Sequence, residues 1–250
     1  MKKALTGCLV IFASLNLWAH GGPERIIIEP EIQGKLNSGK IVYKFDLFDD
    51  QAHKAVKDQD LVDSHTKKLH LIAYDTSLHE FNHVHPVFNG SNWEAELDLP
   101  VNGNYFIWAQ GELADGTEFS SSVKAQIQGG LEEIPTAPLG DVRKALADGT
   151  VVEVASGKVQ AGKMIMLDFT VSRQDGTPAD ITPYLGAFAH VIAVSPDGTR
   201  LIHVHPMKGR APNTGMLHAT FPTAGDYRVW IQLNDKGELK TLPLSISVAK

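Results

Sequence analysis

Short β-branched and aromatic runs, turn residues between them and an internal repeat together predict an all-β chain of two tandem antiparallel β-sandwiches. The 250 residues suit two domains of about 100–130 residues each. A 43% hydrophobic and 21% charged composition is that of a folded globular protein. The repeat is carried by histidines. His70 stands thirteen positions before His83-Val84-His85-Pro86, and His190 thirteen before His203-Val204-His205-Pro206. Each frame is followed by a Gly-x-Tyr-x-x-Trp-x-Gln run, at 103–110 and again at 225–232. Six of the 11 histidines fall on this frame.

Residues 1–19 read as an export signal: Met1-Lys2-Lys3 is the basic end, Leu9 through Trp18 the apolar run, and Ala19 the small residue at the cleavage point. The run is too short for a membrane span, so none is expected in the mature chain. Leu5-Thr6-Gly7-Cys8 resembles a lipobox, which leaves lipidation at Cys8 open beside cleavage after Ala19. Cleavage removes the only cysteine and leaves no disulfide to hold an exported, periplasmic or secreted protein together. The net charge of -6 argues against nucleic-acid binding, which needs a basic face for phosphates.

The first sandwich is expected over 20–130. Arg25–Glu29 is a short β-branched run, and Ile41, Tyr43, Phe45 and Leu47 alternate onto one face of the next strand. Asp49 to Thr66 reads as a long connection. Strands follow at 69–74, 81–85, 93–97, 105–110 and 117–127, with turns at Asn89-Gly90, Asn102-Gly103 and Asp115-Gly116. Gly129-Gly130, Pro135 and Pro138 mark a linker over 131–150, where Asp141 to Ala147 is expected to form one or two helical turns. The second sandwich, 151–250, repeats the scheme with strands at 151–154, 163–171, 187–194, 200–204, 216–221, 227–233 and 239–248.

Hairpin geometry decides whether the histidines meet. A two-residue loop at Pro196-Asp197 pairs His190 with His203 and sets His205 two residues along the same face. Thr76-Ser77 does the same for His70 and His83, with His85 beyond. A three-residue loop with a glycine bulge instead puts His190 on the opposite face. Both registers remain open. Under the first, neutral imidazoles converge as a Zn or Cu site requires. Packed, half-buried histidines are the competing expectation.

The mature chain's methionines, Met164, Met166, Met207 and Met216, all lie in the second half. Thioether sulfur favours Cu(I). Met207 follows His205-Pro206 directly and joins the candidate ligands, whereas Met164 and Met166 are expected to fill the core. His20, exposed as the new N-terminus by cleavage, would offer its amine and imidazole to Cu(II). His53, His65, His79 and His218 have no repeat partner and are read as surface or loop residues. Trp108 and Trp230 are expected to cover a sheet face. No Gly-x-Ser-x-Gly, phosphate loop or His-Glu-x-x-His is present, so no enzyme is expected.

The Gly-x-Tyr at 103–105 and 225–227 resembles the tyrosine corner of immunoglobulin-like sandwiches. Tyr184-Leu185-Gly186-Ala187, His190, His203-Val204-His205-Pro206 and Tyr227-Arg228-Val229-Trp230 together resemble an exported bacterial module associated with heavy-metal and copper handling. The first half matches only the histidine frame and the Tyr-x-x-Trp run. The chain is also loosely similar to periplasmic copper-carrier β-sandwiches. These resemblances imply copper, with zinc as the alternative, for carriage or sequestration at His190, His203 and His205 and at His70, His83 and His85. The competing class is a structural module whose partner is another envelope protein.

Overall fold

The computed structural model describes residues 24–63, 67–135, 138–184 and 187–250, the side chains of His203 and His205 excepted. The candidate residues His20, Cys8 and Ala19, and also His65, lie outside the described residues. Both halves are mainly antiparallel sandwiches, each with a short parallel strand pair, Lys35–Asn37 on Glu118–Gln128 and Val159–Gln160 on Glu238–Ala249. In the first half, one sheet is built on Ile26–Pro30, Gly39–Asp49 and Trp93–Leu99, the other on Glu118–Gln128, Gly103–Leu113, Leu69–Asp75 and Phe81–Val84. The anticipated alternation holds: Tyr43, Phe45 and Leu47 are buried while Lys44 and Asp46 between them are exposed. The long connection carries two-residue strands at Lys54–Ala55 and Leu61–Val62 around a 3-10 turn.

In the second half, Leu201–Lys208 pairs with His190–Val194 along its first part and with Thr214–Thr220 along its last, so one strand belongs to both sheets. The first half breaks this strand at His85-Pro86, with Phe81–Val84 in one sheet and Val87–Phe88 in the other. Proline lacks the amide a ladder needs, which suits the corner.

The expected helix at 141–147 is instead a strand, Lys144–Ala147, folded onto Thr150–Val154 about Asp148-Gly149. Both turn residues have positive φ (46° and 76°), as a two-residue hairpin demands. A β-ladder partner thus outcompetes a short helix that buries no apolar stripe.

Tyr227 forms the tyrosine corner, its hydroxyl donating to the Thr223 carbonyl at 3.0 Å. Tyr105 lies fully buried at the equivalent place, but its hydroxyl finds no hydrogen-bond partner there among the described residues.

The histidine-bearing sheets are apolar on both sides. On Leu69–Asp75, Leu69, Leu71 and Ala73 enter the first sandwich core, while Ile72 and Tyr74 face the other way. On Gly225–Asp235, Tyr227, Val229 and Ile231 enter the second core and Trp230 faces out of it. The outward residues form a third core between the sandwiches, from Ile72, Tyr74, Leu78, Phe106, Trp108, Val194 and Trp230. Phe81 stacks on Trp230 with centroids 4.6 Å apart. The Tyr74 hydroxyl accepts from Trp108 Nε1 at 3.1 Å and donates to the Gly198 carbonyl of the other sandwich at 3.0 Å. The tryptophans do cover a sheet face, and what they cover is each other's module.

Trp230 is 1% exposed at this junction. Trp230→Ala is expected to cost about 3–5 kcal/mol and to separate the unfolding of the two halves, readable as loss of a single urea transition.

Candidate metal centre

The register of the two histidine hairpins matches neither expectation. Ile192 pairs with His203 and Val191 with Val204, so His205 stands opposite His190 one step further on. Likewise Ile72 pairs with His83 and Leu71 with Val84, which sets His85 opposite His70. Both loops hold four residues between their closing pair. Asp75 closes the first: its carboxylate accepts from the His79 and Glu80 amides at 2.8 Å each, and Leu78 takes the left-handed conformation (φ 63°). Ser195 closes the second: its hydroxyl accepts from the Arg200 amide at 3.0 Å, with Gly198 left-handed (φ 70°). A slip of two residues preserves side-chain parity, so the histidines of each frame still share one register face.

That face is the one turned toward the other sandwich. His70 Nδ1 lies 3.1 Å from both His83 Nε2 and His85 Nε2, and one ligand nitrogen from each of the three rings falls within 4.8 Å of the others. Two imidazoles on one tetrahedral ion with bonds of about 2.0–2.1 Å stand about 3.3 Å apart at nitrogen. The observed spacing is close to that.

His190 of the second half joins them, its ring 5.3 Å from His83, 6.3 Å from His85 and 6.4 Å from His70. The sequence points to a separate trio in each half. The structure brings the first trio together and adds His190 to it at one junction, because the sheets that carry them pack face to face. In the second half, His203 and His205 are located by backbone register alone.

Two polar groups orient the rings. Gln232 Nε2 donates to Thr241 Oγ1 at 3.1 Å, and its amide oxygen accepts from His83 Nδ1 at 2.9 Å. This contact crosses between sandwiches and leaves the His83 Nε2 lone pair toward His70. His190 Nε2 donates to the Tyr184 carbonyl at 3.1 Å, which makes Nδ1 the acceptor nitrogen of that ring. Tyr184 and Ala187 exchange backbone hydrogen bonds, which holds the Tyr184 backbone in place; Leu185 and Gly186 between them lie outside the described residues. Orienting a ligand ring through its second nitrogen is the usual outer-shell arrangement at metal sites. Neither Gln232 nor Tyr184 is marked as a ligand-orienting residue by the sequence alone. The signal for Gln232 was the glutamine ending both Tyr-x-x-Trp-x-Gln runs.

Two of the rings, His83 and His85, are held neutral. Burial, then the neighbouring histidines, pushes His83 well below its ordinary value, and burial pushes His85 down to about 3. A neutral imidazole is what a cation needs.

Other candidates lie elsewhere. Met207 is half exposed and pairs with Met216 on the outer sheet, rather than among the rings. Met164 and Met166 are 54% and 63% exposed, not core, because their strand turns Leu167 and Phe169 inward and them outward. His53 and His79 are exposed, as expected. His218 is a half-exposed surface residue on Thr214–Thr220, opposite His205.

Residues 144–250 match a family described as "Domain of unknown function (DUF8832)". No curated protein matches the chain. Among solved structures, the chain is similar to fibronectin(III)-like modules of Clostridium thermocellum CbhA (13% identity, 90% of this chain and 94% of that one, TM-score 0.23). It is also similar to the Escherichia coli adhesin FdeC (12%, 91% and 64%, TM-score 0.27) and to titin Ig tandem domains (12%, 90% and 97%, TM-score 0.25). None of these alignments bears on function, and the fold assignment rests on the strand topology. Among the described residues no helix is long and apolar enough to cross a membrane.

His83 and His85 bind fewer protons folded than unfolded below their ordinary value of 6.5, so stability rises with pH in that range. The metal-free protein is therefore expected to lose stability as pH falls from 6.5 toward about 3. His85→Gln should flatten that slope, as measured by urea midpoints across pH.

Proposed function

We propose that this is an exported metal-binding protein that holds a divalent ion, copper before zinc, between its two sandwiches for carriage or sequestration. The observation that carries the reading is the convergence of His70 Nδ1, His83 Nε2 and His85 Nε2, with His83 oriented by Gln232 from the other half. Imidazole donors suit both metals, and the general affinity order of divalent ions puts copper above zinc. His190 is the nearest further donor. On register, His190, His203 and His205 form the related half of the site. Gln110 supports that pairing: its Nε2 donates to Ser120 Oγ at 2.9 Å, as Gln232 does to Thr241. The leader-like N-terminus supports export to the periplasm or outside the cell. His20 and Met207 are not assigned to this centre.

An ion bound only by the folded state raises stability, by about 2.7 kcal/mol at a hundredfold excess over its dissociation constant. Calorimetric titration with Cu(II) and Zn(II), paired with thermal denaturation, tests the proposal. Metal is expected to raise the Tm, chelator to reverse the rise, and His83→Ala/His85→Ala to abolish it. Gln232→Leu, which leaves every ligand in place, is expected to weaken binding about 10–100-fold.

A second reading takes the chain as a structural or interaction module of the envelope, with the histidines packed as part of the junction. It is favoured by the continuity of the rings with the aromatic core between the sandwiches and by their mutual contacts at 3.1 Å. A Tm indifferent to metal and chelator would establish it over the first.

A further inference from the structure

Four methionines lie on one outward face of the second sandwich. Met164 and Met166 come from Met164–Arg173, Met216 from Thr214–Thr220 and Met207 from Leu201–Lys208, three adjacent strands. Across them the register reads Met166, His218, His205 in one row and Asp168, Met216, Met207 in the next. Alternate residues Leu167, Phe169, Leu217 and Ala219 fill the core. The methionines are therefore the other face of the pleat. Met164, Met166 and Met207 are 54%, 63% and 49% exposed. Gap filling, the ordinary use of methionine, does not account for them there.

Met207 and Met216 are directly opposed, as are Met166 and His218, and such pairs start about 4.5–5.5 Å apart at Cβ; Met166 and Met216 are diagonal neighbours at about 7–8 Å. Long, unbranched thioethers can close those distances onto one ion. At one point an imidazole and a thioether already meet: His218 Nε2 is 2.7 Å from Met164 Sδ. Thioether sulfur is a soft donor that selects Cu(I)-like ions over Zn(II) and Mg(II).

We infer that this face is a second metal site, specific for a soft monovalent ion, Cu(I) or Ag(I), with ligands drawn from Met164, Met166, Met207, Met216 and His218. It is open where the junction site is largely buried, with His83 enclosed and His70 and His85 half-buried, and sulfur-rich where that site is all nitrogen. It stands independently of the divalent reading. The two sites are nonetheless joined by one strand: Leu201–Lys208 pairs with the His190 strand at one end and carries Met207 at the other.

The test uses Ag(I) as a redox-inert probe, with the methionine methyl groups isotopically labelled and followed by NMR on the full chain. The expected result is that the methyl resonances of the four methionines move together and stop moving at one equivalent. Replacing all four (Met164→Leu, Met166→Leu, Met207→Leu, Met216→Leu) is volume-conserving, and calorimetry should then show that equivalent lost. His83→Ala/His85→Ala should leave the methyl shifts intact, which separates failure at the junction from failure here. Ag(I) that leaves the methyl groups unmoved, or a leucine variant that keeps its full Ag(I) stoichiometry, would overturn the inference.

Discussion

Burial of both faces of the two histidine-bearing sheets is the constraint on which the remaining architecture rests. Strands such as Leu69–Asp75 and Gly225–Asp235 send alternate residues into their own sandwich and into the gap between sandwiches. An exposed face of Tyr74, Phe106, Trp108 and Trp230 would leave a broad apolar patch in water, and docking the halves removes it. Everything polar at the junction then needs a partner. Tyr74 finds the Gly198 carbonyl, His83 finds Gln232 and His190 finds Tyr184. The site is thus a by-product of packing geometry made chemically specific by a few hydrogen bonds.

Much of the fold was legible in residue patterns. The alternation of Ile41 to Leu47 named a half-buried strand, and Gly-x-Tyr at 225–227 named the corner that Tyr227 makes. The run from Leu69 to Tyr74 was legible as a strand, and the structure buries it on both sides. The run itself did not show what covers it, because docking of two modules leaves no period in the sequence. Hence the approach of His190 to the trio of the first half was not foreseen. Hairpin register was hidden for a different reason. It is set by side-chain acceptors, the Asp75 carboxylate and the Ser195 hydroxyl, that hold four-residue loops no dipeptide signal announces. At Asp148-Gly149 the opposite holds. The turn dipeptide stands plainly in the sequence, and the hairpin it closes displaces the helical turns expected from the Asp141 cap.

The methionines carry a related lesson. Composition placed them in one half of the chain, but their side of the sheet depended on parity relative to Leu167 and Phe169. An apolar residue is not thereby a core residue. On this surface the sulfur atoms, rather than the hydrocarbon, distinguish the face from its neighbours.

The paired four-residue loops bear on how such a duplicated module can change over generations. Because pleat parity alternates, insertions or deletions in either loop are tolerated by the junction only in steps of two. A single added residue at 76–79 or 196–199 would turn an entire row of imidazoles away from its counterpart while leaving the strand itself intact. Divergence between the halves is therefore channelled into loop composition, as Leu78 and Gly198 at one left-handed position already show, and away from loop length.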